Sequence, residues 1–151
     1  MRSVVGADHA GYAMLRRLLT LEDLDAALGS SHPVLIFKHS ATCGISAQAH
    51  EEILALLADP AWLTEVYVVF VPEGRLVSNE ISTRLDLRHA SPQILLVRDG
   101  VVRWHASHFR VTGQAIRAAL QRGTAPTPES GPTPETGHQS LRRWLGAWLP
   151  D

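Results

Sequence analysis

One cysteine in 151 residues rules out an internal disulfide framework, a CxxC redox pair and any zinc site built on several thiolates. Neither sign of charge dominates. The formal net charge is -1, so the chain as a whole has no basic footprint for nucleic acid. No run approaches the roughly 18 consecutive apolar residues of a membrane-spanning helix. The first residues, MRSVVGADHAGYAMLRR, place Asp8 and His9 where a secretory signal would need its apolar stretch. The expected location is therefore the cytoplasm, where a lone thiol stays reduced. A composition of 45% hydrophobic and 19% charged residues describes a globular domain with a real core.

Four regions follow from the pattern. Residues 1–17 have no clear period and read as an N-terminal extension. Residues 18–122 carry the periodic segments. Thr20 is a helix N-cap with Asp23 three residues on, Leu21, Leu24 and Leu28 keep helical spacing, and Gly29 closes the element. Val34–Phe37 reads as a buried strand, and Ile45 to Leu57 as a helix ended by Asp59-Pro60. Thr64–Val71 is a second strand, and Ser78–Leu87 a helix with a serine cap. Gln93–Ser107 holds two strand-like runs about Asp99-Gly100, the dipeptide of a tight hairpin. Thr112 caps a last helix. Together these predict an α/β domain with a central mixed four-stranded sheet flanked by helices. Residues 123–139, rich in proline, threonine and glutamate, form a linker too polar to fold. In residues 140–151, Leu141 to Leu149 form an amphipathic stripe suited to weak membrane or protein contact.

Cys43 stands between the Val34–Phe37 strand and the following helix, among Lys38, His39, Ser40, Thr42, Gly44 and Ser46. A cysteine kept for packing belongs inside an apolar run. At a strand-to-helix junction, the free N–H groups of the first turn and the positive end of the helix dipole favour a thiolate. Lys38 and His39 are expected to add positive charge. The second half of the site is His89–Gln93, HASPQ. There a cis bond before Pro92 would present the backbone of Ser91, beside the cysteine loop, to an extended substrate.

The segments FKHSATCGIS, GRLVSNEI, RHASPQILLVRDG and WHASHFRVT, in this order, resemble the monothiol bacilliredoxin family from about Leu18 to Leu120. The resemblance implies a thioredoxin-like fold, with Cys43 as the redox-active cysteine and Pro92 as the cis-proline beside it. It implies no tightly bound cofactor, bacillithiol as co-substrate, and bacillithiolated proteins as partners. Gly44 departs from the proline that the family has directly after its cysteine. Cys-Gly-Ile-Ser is also similar to the Cys-Gly-Phe-Ser of monothiol glutaredoxins, so an iron–sulfur carrier stays open as an alternative, as does a non-catalytic adaptor. Ser46 occupies the place of the resolving cysteine in dithiol relatives; a hydroxyl can hydrogen-bond a thiolate but cannot open a disulfide, so resolution must come from another thiol. Eight histidines raise the question of a metal site, but His105 and His108 are spaced to diverge, and no metal site is expected.

Overall fold

The computed structural model describes residues 15–122, so the expectations for residues 1–14 and 123–151, including the linker and the Leu141–Leu149 stripe, lie outside the described residues. The order is β1 (Leu15–Arg17), α1 (Leu21–Leu28), β2 (Val34–His39), α2 (Gly44–Leu57), β3 (Glu65–Phe70), α3 (Arg75–Arg84), β4 (Gln93–Arg98), β5 (Val101–Ser107) and α4 (Gly113–Gln121). A short 3-10 turn, His108–Arg110, precedes α4.

Local signals account for most of these bounds. The Thr20 hydroxyl accepts from the Asp23 N–H, and the Asp23 carboxylate accepts from the Thr20 N–H, a reciprocal capping box. Thr112 Oγ1 accepts from the Ala115 N–H at the start of α4. Asp99 and Gly100 have φ of 53° and 71°, the paired left-handed conformations of a type I′ turn, whose twist suits the β4–β5 hairpin.

The sheet has five strands in the order β1-β3-β2-β4-β5, where four were expected. The added strand, β1, lies within the stretch expected to be an N-terminal extension. It pairs in parallel with β3, Leu15 opposite Val66 and Arg17 opposite Val68. Three residues, two of them exposed arginines, carry no alternating pattern; backbone pairing at a sheet edge makes this strand. β2 runs parallel to β3 and antiparallel to β4, and β5 closes the other edge.

All six β2 residues are buried, because β2 is central and both sheet faces are covered. Leu35 and Phe37 pack with Ile53, Leu56 and Ile116 of α2 and α4. Val34 and Ile36 pack with Leu24, Val77 and Ile81 of α1 and α3. This alternation decides which way each functional side chain points.

The helix expected at Ser78 begins at Arg75, after Gly74. Gly74 lies so close to the end of β3 that a Cβ would sit 2.6 Å from Val69 Cγ2 and 3.0 Å from the Phe70 carbonyl oxygen. The chain turns into the helix against β3, and Ser78 becomes a buried interior residue instead of a cap.

Candidate functional site

The carboxyl end of β2 leads through Ser40–Thr42 into α2, and Cys43 is the N-cap of that helix. It is partly exposed, with extended backbone at φ -104° and ψ 123°. Its N–H donates to the Ser40 carbonyl at 3.2 Å, closing the loop, and its own carbonyl accepts the first helical bond from Ala47 at 3.0 Å. No side chain caps the first turn of the helix.

Ser46, fully buried, is committed elsewhere. Its hydroxyl oxygen accepts from the Ser40 N–H at 2.9 Å and meets His39 Nδ1 at 2.7 Å. One hydroxyl thereby ties the cysteine loop to the end of β2. His39 is packed between rings, stacked on His50 at 4.6 Å and edge-on to Phe70 at 5.4 Å. Arg17 lies over the ring of Phe70 at 4.7 Å. Burial, with the neighbouring His50 behind it, holds His39 below the ordinary histidine range, against the opposing hydrogen bond at Ser46. His39 is a neutral ring at neutral pH.

Lys38 points the opposite way. Strand alternation turns it to the α3 face, where Nζ donates to the Ser78 carbonyl at 3.1 Å, Ser82 Oγ at 2.8 Å and His89 Nδ1 at 3.2 Å. The expected positive charge from Lys38 and His39 beside the sulfur is thus not what their surroundings provide: one faces the other layer, and the other is held neutral. Thr42 is exposed, its hydroxyl 3.4 Å from Ser40 Oγ, and Gly44 opens to empty space, with nothing within 4 Å of where a Cβ would lie.

The register brings the second segment to the same end of the sheet. Gln93 pairs with Lys38, so Pro92 falls level with His39, one residue further toward the cysteine loop. The Ser91–Pro92 peptide is cis, and the Pro92 carbonyl accepts from the His108 N–H at 3.0 Å. The His108–Arg110 turn in turn packs on α2, where His108 and Phe109 line a small cleft with Ile45 and Gln48. Phe109 is 72% exposed and, with the half-buried Ile45, gives the cysteine end of α2 an apolar margin. Among the described residues, no group of three or more His, Cys, Asp or Glu side chains is placed to hold a metal ion.

Several residues of this region carry no local sequence signal. His50 follows Ser46 at i+4 on α2, a spacing that places both on one face, but packing of that face on β2 is what brings them to His39. Ser78 and Ser82 share that spacing on α3. What joins them to Lys38 and His89 is tertiary packing.

A mixed sheet covered by helices on both faces, with the sole cysteine at the β2–α2 junction and the Pro92 segment level with the end of β2, has the architecture of a thioredoxin fold. Solved structures agree on the fold. A putative oxidoreductase with a thioredoxin fold superposes with a TM-score of 0.67 at 23% identity, over 73% of this chain and 96% of its own. The thioredoxin of Malassezia sympodialis gives 0.59 at 17% identity, over 74% and 91%. Mitochondrial thioredoxin 3 of Saccharomyces cerevisiae gives 0.59 at 14%, over 74% and 98%. The chain belongs to the monothiol bacilliredoxin BrxC family, whose model matches residues 16–116. Family and fold together support a thiol redox role.

Proposed function

We propose that this chain removes bacillithiol from protein mixed disulfides through Cys43, as a cytoplasmic monothiol oxidoreductase. The observation that carries the reading is the placement of the sole cysteine: partly exposed at an uncapped helix N-terminus, with the hydroxyl at the resolving position buried and engaged by His39 and Ser40. The Cys43 thiolate attacks the bacillithiol sulfur of the mixed disulfide. The old S–S bond breaks, the client leaves as a thiolate that takes a proton from water, and Cys43 holds bacillithiol in a new disulfide. A second bacillithiol thiolate attacks the bacillithiol sulfur of that disulfide, releasing bacillithiol disulfide and restoring the Cys43 thiolate. An extended client segment would lie along Ser91, level with the end of β2.

Intact mass spectrometry after exposure to oxidised bacillithiol tests this. One bacillithiol adduct is expected on the chain and none on Cys43→Ser; an unmodified chain refutes it. The iron–sulfur carrier, with a cluster as cargo on Cys43, draws on Gly44, which leaves open space at the residue after the cysteine, where the family has proline. Anaerobically reconstituted protein without iron, sulfide or visible absorbance removes that reading.

A further inference from the structure

Two buried polar side chains stand next to each other in the sheet and take no part in the chemistry at Cys43. Lys38 is fully buried and Gln93 is 3% exposed. They are directly paired across β2 and β4, so both project from the same face, under α3. Burying an ammonium group is costly, and an apolar pair would fill a sheet interior without that cost. Their hydrogen bonds indicate what they hold. Lys38 Nζ, anchored on α3 by the Ser78 carbonyl and Ser82 Oγ, donates to His89 Nδ1. Gln93 Nε2 donates to the Arg88 carbonyl at 3.0 Å. Ser78 Oγ adds a contact to His89 Nδ1 at 3.3 Å. Lys38 therefore holds residue 89 and Gln93 residue 88, two adjacent residues that lead into Ser91–Pro92.

We propose that Lys38 and Gln93 are positioning residues that latch residues 88–92 in place, and so set a preference for peptide-borne over small-molecule mixed disulfides. The proposal rests on the exchange reading above. A small disulfide needs only the sulfur and the α2 N-terminus, neither of which touches the latch. An extended peptide also needs the Ser91 main chain to be held still, and a loosened segment must be ordered each time a substrate binds.

The test uses the full chain with two bacillithiol mixed disulfides, one on a ten-residue peptide and one on cysteamine. His89→Ala removes the acceptor from the exposed side and leaves Lys38 bonded to Ser78 and Ser82. Lys38→Met and Gln93→Leu remove the donors, and His89→Ala serves where either of these fails to fold. KM for the peptide should rise about fivefold, the equivalent of ordering roughly one backbone residue, with its kcat and the cysteamine rate unchanged. Hydrogen–deuterium exchange across residues 88–92 of the resting protein should quicken in the same variants. Equal losses on both substrates, or unaltered exchange in this segment, would overturn the latch. If the wild-type chain forms no Cys43 disulfide with either substrate, the exchange reading has failed and the substrate preference with it. Normal wild-type kinetics that the variants leave unchanged overturn the latch alone.

Discussion

Replacing Lys38 by methionine keeps an unbranched side chain one atom shorter and removes its charge. The absolute change in stability is a poor test, because relief of a buried charge opposes the loss of hydrogen bonds to Ser78, Ser82 and His89. The dependence on pH is a sharper one. Burial lowers Lys38 from 10.5 to about 8, a difference worth about 3 kcal/mol against the charged form. Below pH 8 both folded and unfolded chains carry the proton, and the whole penalty is present. Between 8 and 10.5 the unfolded chain still binds the proton that the folded chain has released, so stability rises with pH. Integrated from pH 7.5 to 9.5, the gain is about 2 kcal/mol.

Urea denaturation at those two pH values measures it. With a urea dependence of about 2 kcal/mol per molar, the wild-type midpoint should move up by roughly 1 M relative to Lys38→Met. The variant is the proper baseline because it keeps Cys43 and Tyr67. Burial and the hydrogen bond to Glu65 raise the Tyr67 hydroxyl, which opposes stability only above its ordinary value of 10.0. Equal shifts in the two proteins would mean that the ammonium group is solvated, and the argument from its burial would be refuted.

At acid pH the histidines act in the same sense. His39 and His89 are both held below 6.5, chiefly by burial, so below that value the unfolded chain takes up protons that the folded chain refuses, and stability falls. The urea midpoint should drop between pH 7.5 and 5 by more in the wild type than in His39→Gln; identical drops would contradict this. Ser46→Ala strands the Ser40 N–H and His39 Nδ1 and should cost about 1–3 kcal/mol in urea denaturation, and a neutral result would show that the loop is not held there. Gly44→Pro should raise stability by about 0.4–1 kcal/mol, since the first helical position accepts proline and no atom lies within 4 Å of the added Cβ. If this variant also matches the parent in mixed-disulfide reduction, glycine at this position serves no purpose in the exchange reaction.

Local interactions were legible in the sequence, and they account for much of the fold and for the thiol. The Thr20–Asp23 box, the Thr112 cap, the Asp99-Gly100 turn and the strand-to-helix position of Cys43 each depend on residues a few places apart, whose geometry any short segment reproduces. Tertiary structure decided the rest. β1 exists only because β3 offers an edge to three residues with no strand pattern, and α3 starts at Arg75 because Gly74 meets the end of β3. The sequence places Lys38 and His39 side by side next to the cysteine loop, and proximity suggests a shared role. Strand alternation sends them to opposite faces of the sheet, one to α3 and His89, the other to Ser46 and His50. Adjacency along a chain measures distance between backbones, whereas a side chain's electrostatic work depends on the layer it enters, and that layer exists only once the sheet is packed on both sides.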